Sequence, residues 1–445
     1  MTGLFSTTGI RGIANRDFTP EFVLGLGKAF GTFLKGGKVL VARDTRSSSE
    51  ALKNAFVSGL LSTGTDVEDA GVAPIPSVSF AVKQNYTAGA MITASHNPPE
   101  WNGLKFIMGS SLEIAEKEEV EFEKIFNSKK FLLAPNGSAG TSKNCNILEP
   151  YARALTNNIN ANAIRAKRFK VVVDTGNGAQ SLFIPDFLES LGCEVIALHT
   201  SIGAFERPPE PTPETLTTFL DVVKQEKPDF GVAFDTDGDR AIFATGQGEF
   251  IMGDVTGTLL AHNFFINSKG CKVVTPIATS KAIDDVADEL GGKVVKTKVG
   301  GKYIGESVMK SKAAYGFEEN GGSIFPEISF MRDGSATVAK LLDLLASTGK
   351  FLEQLISEVP KYYQLKTKMN CSPETKGSVM ANVLKKLEVS GAELITMDGI
   401  KAIYEDGSVM VRASGTEPVI RVFAEAKTKA RAKELLDLGV SAASG

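Results

Sequence analysis

The sequence predicts an α/β chain of four domains, three built alike and a fourth of the α+β kind. A strand–helix–strand arrangement recurs three times along the chain. After each copy comes one more strand, and each of those strands runs into a polar loop. From about residue 360 the character changes to successive strands with a closing helix.

The first copy starts with KVLVARD (38–44), passes through the helix-length SSSEALKNAFVSGLLSTG and ends in TDVEDAG. The second runs from KVVVDTG (170–176) through AQSLFIPDFLESLG to CEVIALH. The third runs from CKVVTPI (271–277) through ATSKAIDDVADELGG to KVVKTKVG. Each has a β-rich run, a segment with apolar residues three and four apart, and a glycine stop. Such alternation gives layered units with largely parallel strands, in mixed sheets where a hairpin is added. The added strands are AGAMI before TASHNP, FGVAF before DTDGDR, and AAYG before FEENGG. Ligands of α/β sheets gather beyond the carboxyl ends of strands, so three such loops can serve one cleft. The tail reads as an antiparallel α+β domain in which DGSVMVRASGTEP is again a strand entering a polar loop. These patterns place the domains at 1–148, 149–250, 251–358 and 359–445, with the SAASG end frayed.

The 445 residues suffice for three or four domains, and 42% apolar with 23% charged residues is ordinary for a soluble globular protein. A net charge of −3 lacks the basic surplus of a nucleic-acid protein. Cys145, Cys193, Cys271 and Cys371 lie far apart, which fits neither a zinc site nor a disulfide framework but thiols in a reducing compartment. MTGLFSTTGIRG lacks the pattern of a signal peptide. No apolar run approaches the ~18 residues of a membrane helix. The expectation is a cytoplasmic protein with small-molecule partners, neither nucleic acid nor membrane. Monomer and homo-oligomer both stay open.

In TASHNPP, neighbouring residues of an extended segment point to opposite faces, so His96 is badly placed to be a base for Ser95. G-x-S-x-G is absent. Pro98 and Pro99 stiffen the exit. Alone, the loop reads either as a serine held out rigidly or as a proline-braced turn with a capping serine. DTDGDR alternates Asp235, Asp237 and Asp239 around a glycine. Three carboxylates together raise one another's pKa unless a cation joins them, and all-oxygen ligation selects a hard ion such as Mg²⁺. An EF-hand is excluded: its sixth position is Arg240 rather than Gly and its twelfth is Gly246 rather than Glu. A solvated acidic turn is the other reading. FEENGG offers Glu318 and Asn320, whose side chains suit vicinal sugar hydroxyls, although acidic glycine-rich turns are common. RASGTEPVIR combines Arg412, Ser414, Gly415, Thr416 and Arg421, the fork, hydroxyls and backbone N–H groups of a phosphate site, or else a hairpin loop with chance hydroxyls. No nucleotide-binding glycine motif appears.

Taken together, TTGIRG (7–12), TASHNPPEWNGLK, DTDGDR, GFEENGG and RASGTEP make the whole chain closely resemble the α-D-phosphohexomutase superfamily. That superfamily includes phosphoglucomutases, phosphomannomutases and phosphoglucosamine mutases. The resemblance implies a heart-shaped four-domain enzyme closing on a central cleft. It implies that Ser95 carries the phosphoryl group, and that Asp235, Asp237 and Asp239 hold Mg²⁺ with an oxygen of the phosphoserine. Lys105 then resembles the lysine of proton transfer, and Arg11 and Arg240 the arginines at the reacting phosphate. Glu318 and Asn320 resemble the pair that reads sugar hydroxyls. Arg412, Ser414, Gly415 and Thr416 resemble the grip on the non-reacting phosphate, with Arg421 a weaker match. The implied reaction exchanges 1-phosphate and 6-phosphate sugars through a 1,6-bisphosphate, with a glucose 1,6-bisphosphate-type activator.

One position departs from the pattern. Many bacterial members close the sugar loop with histidine, as G-E-x-S-G-H, whereas this chain has Gly322 in a version similar to archaeal relatives. Any proton-transfer role of that histidine is absent or supplied elsewhere, with Lys105 the candidate. Lys302, in Gly300-Gly301-Lys302-Tyr303, is a second specificity candidate. A half-turn of the sugar that swaps C1 with C6 roughly exchanges O3 with O4. The expected specificity is therefore relaxed at C2 and tighter at C4. Hexosamine phosphate comes first, because of the archaeal-like loop, and glucose or mannose phosphate second. Two other classes share parts of this pattern. A haloacid-dehalogenase-type phosphatase shares D-x-D-G, but its next residue would be Thr or Val, not Asp239, and TASHNPP goes unexplained. A non-catalytic sugar-phosphate binder is disfavoured because every chemical position is filled.

Overall fold

Strand Lys38–Arg43 stands between strands Asp66–Val72 and Ala88–Ile92 and runs parallel to both. Lys170–Asp174 stands in the same way between Glu194–Leu198 and Phe230–Phe234. Lys272–Pro276 stands between Lys293–Thr297 and Tyr315–Phe317. Each time the chain enters at the centre, leaves through a helix to one side and returns on the other, so the recurrence in the sequence is a recurrence of topology. A computed structural model describes residues 3–6, 9–414 and 418–444 of this chain. Two compact units are present, one of residues 1–256 with 320–355 and one of residues 257–319 with 356–445.

In the first unit, the sheet of the first copy is extended by Trp101–Met108, antiparallel to Ala88–Ile92, and then by Ile10–Ile13. The second sheet is extended by Ala241–Thr245 and Phe250–Ile251, again antiparallel. Ala88–Ile92 and Phe230–Phe234 are buried at every residue. Their unbroken apolar runs, rather than alternating ones, follow from cover on both faces. Phe30, Phe56, Phe106 and Phe122 meet beneath the first sheet, with Phe30 and Phe106 ring centroids 4.5 Å apart. A fully buried phenylalanine contributes about 1.5–3 kcal/mol, so this cluster anchors the strands that lead to Ser95 and Lys105.

In the second unit, a five-stranded antiparallel sheet runs in the order Tyr363–Asn370, Val419–Ala426, Gly407–Ala413, Ile400–Tyr404, Glu393–Ile395. Helices Lys376–Glu388 and Lys429–Ala443 pack on it through Val383, Leu387, Ala432 and Leu435.

Two expectations need correction. The segment 179–192, which reads as one helix, is a 3-10 turn Ala179–Leu182 followed by helix Ile184–Ser190. Phe183 leaves helical geometry at φ −137°, and Pro185 fits only in the first turn of the new helix because it lacks the N–H a helix interior needs. The SAASG end does not fray at its start, since helix Lys429–Ala443 buries Ala442 and Ala443.

Candidate active site

Strand Ala88–Ile92 ends just before Ser95, which is 1% exposed and sits in the left-handed region at φ 52°. That conformation costs an L-residue other than glycine roughly 1–2 kcal/mol, so the surrounding contacts must impose it. The Arg46 guanidinium supplies them. It donates to the carbonyls of Ser95 (2.7 Å), Asn97 (2.7 Å), Pro98 (2.6 Å) and Trp101 (3.2 Å), and through Nε to Asp44 (3.0 Å). Asp44 in turn accepts from the Ser49 hydroxyl at 2.6 Å. One buried side chain thus cinches the whole Ser95 loop.

Strand Phe230–Phe234 delivers the aspartates. The Ser95 hydroxyl donates to Asp235 Oδ2 at 3.1 Å. Lys105 lies opposite Met91 on the neighbouring strand, and its Nζ donates to Asp237 Oδ2 at 2.7 Å and Asp239 Oδ2 at 3.4 Å. Arg332 Nη2 donates to Asp239 Oδ2 at 2.6 Å. All three carboxylates are fully buried, and one oxygen of each lies within 4.8 Å of the others. Asp237 Oδ1 and Asp239 Oδ1 are buried with no hydrogen-bond partner among the described residues. Two orphaned anionic oxygens beside Asp235 suit a small hard cation, so the donor set fits Mg²⁺.

The charges are tightly interdependent. Burial pushes the Asp235 carboxyl well above the usual range, and the charges of Asp239 and Asp237 add to this. Burial would raise Asp239 too, but Arg332, Lys105 and Arg240 outweigh it and hold its pKa below the ordinary value. Burial would lower Lys105, yet Asp237 and Asp239 carry it above the ordinary lysine value. Arg11, whose Nη1 donates to Asn97 Oδ1, is brought down to about 10, chiefly by burial. Arg240 Nη2 lies 3.0 Å from His96 Nδ1 and its Nε 3.7 Å from Asp235. The Arg240 charge, then burial, depresses His96 to about 2, and its Nδ1 is 3.5 Å from the Ser95 hydroxyl. With Nδ1 facing the Arg240 guanidinium and its proton affinity lowered, His96 is poorly suited to be a base for Ser95.

A second layer holds the aspartate loop. Arg207 Nε lies 3.0 Å from both oxygens of Asp174, and its Nη2 donates to the Phe234 carbonyl at 2.7 Å, directly before Asp235. His199 Nδ1 lies 3.0 Å from Asp174 Oδ2.

Ser95, Lys105, Arg11, Arg240 and the three aspartates therefore meet in the first unit. Asn320 belongs to that unit as well, its Oδ1 accepting from Gly322 N at 3.1 Å. The other singled-out residues lie in the second unit. Glu318 is buried at the end of strand Tyr315–Phe317, and Lys302 is buried in the first turn of helix Gly301–Ser311. Arg412 Nε donates to Asp398 at 3.0 Å, and Asp398 also accepts from Val299 N at 2.9 Å. Arg421 stands opposite both Arg412 and Lys368 in the antiparallel register, which lines three cations across three strands. Ser414 is buried and donates its N–H to Val419 O at 3.0 Å. Gly415 and Thr416 lie outside the described residues. Sequence reasoning missed Arg46, Asn97, Arg207 and Arg332. The DTR that follows the first strand was the available signal for Arg46; the others carry none.

Buried carboxylates and cations around a serine, on repeated α/β scaffolds, define a phosphoryl-handling enzyme, and comparison with known proteins agrees. Models of the phosphoglucomutase/phosphomannomutase family match the chain as α/β/α domain I at 2–133, domain II at 149–248, domain III at 252–363 and the C-terminal domain at 367–438. A phosphoglucomutase/phosphomannomutase of Thermococcus kodakarensis is 45% identical over 99% of this chain and 98% of its own. A phosphoglucosamine/phosphogalactosamine mutase of Sulfurisphaera tokodaii is 38% identical over 98% of each. The crystal structure of a putative phosphomannomutase from Thermus thermophilus superposes with a TM-score of 0.84 at 30% identity, covering 99% of both chains. The chain belongs to the phosphoglucomutase/phosphomannomutase family of the α-D-phosphohexomutase superfamily. It is a phosphohexomutase, and the phosphatase reading of FDTDGD is set aside.

Proposed function

We propose that this enzyme interconverts the 1- and 6-phosphates of glucose and mannose, with Ser95 as the phosphate carrier. The observation that supports this most is the Ser95 hydroxyl 3.1 Å from Asp235, beside two orphaned carboxylate oxygens. In the forward half-reaction the bond from phosphorus to Ser95 Oγ breaks and a bond to a sugar oxygen forms, giving a hexose 1,6-bisphosphate. Lys105 gives a proton to the departing Ser95 Oγ and takes the hydroxyl proton of the sugar in exchange, so the serine hydroxyl is restored and the lysine charge is unchanged. In the return half-reaction the bond from the other phosphorus to its sugar oxygen breaks and one to Ser95 Oγ forms, and the serine proton passes by way of Lys105 to that sugar oxygen. The raised pKa of Lys105 in the resting site suits the proton-donating half. Arg11 and Arg240 balance the phosphoryl oxygens, as phosphoryl transfer needs positioning and neutralisation more than covalent machinery. Asp235, Asp237 and Asp239 would hold Mg²⁺, which withdraws charge from the phosphoserine. Arg412, Ser414, Gly415, Thr416 and Arg421 would grip the phosphate that does not react. Glu318, Asn320 and Lys302 would contact the sugar.

The archaeal-like loop places hexosamine phosphates first, but 45% identity to a phosphoglucomutase/phosphomannomutase, against 38% to a hexosamine-phosphate mutase, moves glucose and mannose phosphates ahead. Hexosamine phosphates are the second reading, favoured by several archaeal relatives at 36–39% identity named as probable phosphoglucosamine mutases. The Sulfurisphaera protein's name includes a C4 epimer, so tighter discrimination at C4 needs its own arm in the test. Intact-protein mass before and after glucose 1,6-bisphosphate should differ by one phosphoryl group, and Ser95→Ala should abolish the difference. kcat/KM across glucose, mannose, glucosamine and galactosamine phosphates then ranks the sugars. Phosphorylation of Ser95→Ala with normal turnover would refute the carrier assignment.

A further inference from the structure

The glycine that stands at position 322 and the third aspartate of DTDGDR are tied together by one side chain. Arg332 is 5% exposed and donates from Nη2 to Asp239 Oδ2 at 2.6 Å. Its stem crosses Gly322 so closely that a Cβ on that glycine would stand 2.3 Å from Arg332 Cδ and 3.0 Å from Cγ. Real Cβ contacts do not reach such distances, so the stem fills the volume a side chain at 322 would need. The main chain of Gly322 is held independently, by an antiparallel bridge to Arg240 and by Ala241 N donating to Gly321 O at 3.1 Å. On the other flank, Asp333 N donates to Ser323 O at 2.7 Å. Gly334 opens helix Gly334–Thr348 against the carbonyl of Gly238, where a Cβ would lie 2.8 Å away. Gln180 Nε2 donates both to that carbonyl (3.1 Å) and to the Ser335 hydroxyl (2.8 Å). Segments 320–323 and 331–335 are thus layered on the aspartate loop with their spacing fixed.

We propose that Arg332 is a positioning residue of the reacting centre, taking the space vacated at position 322 and fixing the Asp239 carboxylate by Oδ2 so that Oδ1 stays available to a divalent cation. Asp239 Oδ1 is the buried oxygen without a hydrogen-bond partner, and Oδ2 is the one that Arg332 and Lys105 occupy. Anchoring one carboxylate oxygen orients the other, the way outer-shell partners orient metal ligands. A planar fork does this where a point-charge ammonium does not. The inference rests on the reading of Asp235, Asp237 and Asp239 as a cation site.

The test needs no turnover. Full-length, dephosphorylated, metal-stripped protein is titrated with Mg²⁺ and with Mn²⁺ by calorimetry. Arg332→Met should raise the dissociation constant about tenfold or more, with Arg332→Lys between it and the wild type. A wild type that binds no divalent cation defeats the reading of the aspartates; a wild type that binds, with Arg332→Met binding as tightly or more tightly, overturns this proposal alone. If Arg332→Met does not fold, Arg332→Lys carries the comparison by the same criteria. Melting temperatures supply the second arm. Gly322→Ala should lower Tm beside Arg332 and cost little once Arg332→Ala has opened the space. Equal losses in the two backgrounds would overturn the claim that Arg332 fills that volume.

Discussion

Arg46 donates to the carbonyl oxygen of Ser95 at 2.7 Å, from a side chain only 1% exposed, and so holds a residue 49 positions away in a conformation that serine does not choose for itself. Replacing it with methionine keeps the volume but leaves Asp44 a buried carboxylate without its cation. Breaking such a pair from one side typically costs about 3–5 kcal/mol. Arg46→Met should therefore melt earlier and take up the phosphoryl group poorly, and Arg46→Lys should recover only part of each. Thermal unfolding and intact mass after glucose 1,6-bisphosphate check both.

Asp237 pairs with Lys105 through Oδ2 and keeps Oδ1 without a hydrogen-bond partner. Asp237→Asn should raise the Mg²⁺ concentration for half-maximal activity by at least about tenfold. Chelator treatment of the wild type should abolish turnover, with Mg²⁺ restoring it. Full activity after chelation would remove the aspartates from the chemistry.

The Asp174 cluster predicts a pH dependence of stability rather than of chemistry. The Asp174 contact, which outweighs burial, raises the pKa of His199. Burial alone would raise Asp174, but His199 and Arg207 outweigh it and hold the carboxyl low. Protonated His199 is favoured in the fold, so its contribution is complete below the unfolded value of about 6.5 and fades as pH climbs through the raised folded value. The Asp174 contribution is present above its unfolded value of about 3.9 and is lost as pH falls through the lowered folded value. The Tm gap between wild type and His199→Gln should thus be at its full size well below about pH 6.5, down to the acid range where Asp174 takes a proton, and shrink as pH climbs through the raised His199 value, a trend that thermal melts across pH would show or refute.

Arg412, Arg421 and Lys368 stand side by side across three strands, with Arg412 also paired to Asp398, and a further anion beside them would relieve their mutual repulsion. Arg412→Ala should lower kcat/KM for sugar phosphates about tenfold to 150-fold, from a charge-assisted bond worth roughly 1.5–3 kcal/mol. Inorganic phosphate should also raise the Tm of the wild type more than that of the variant. An unchanged kcat/KM would take this strand loop out of substrate binding.

The periodicity of the three copies made the strand order legible, because the central strand of each is apolar through its middle and a glycine follows the helix that leaves it. The aspartate loop was legible for a similar reason: three carboxylates at alternate positions after a buried strand ask for a cation whatever the fold. Arg46, Arg207 and Arg332 were not, since the groups they bridge to, Ser95, Asp174 and Asp239, lie 49, 33 and 93 positions away and surface arginines look the same in a sequence. Pro185 was visible but lay inside an otherwise helical pattern, and only Phe183 leaving helical geometry shows that the helix restarts there. The burial of Ala442 and Ala443 was hidden by their small size, which reads as low complexity yet suits close packing on a sheet.

The φ of 52° at Ser95 also limits which residues a lineage could accept there. Threonine has the same hydroxyl chemistry and is one nucleotide change from many serine codons. Its branched Cβ, however, is a steric outlier in the left-handed region. Glycine would relax the backbone and asparagine would tolerate it, but neither offers an oxygen that can carry a phosphoryl group and return it. Backbone and chemistry thus select by different criteria at one position, and serine is the side chain that meets both.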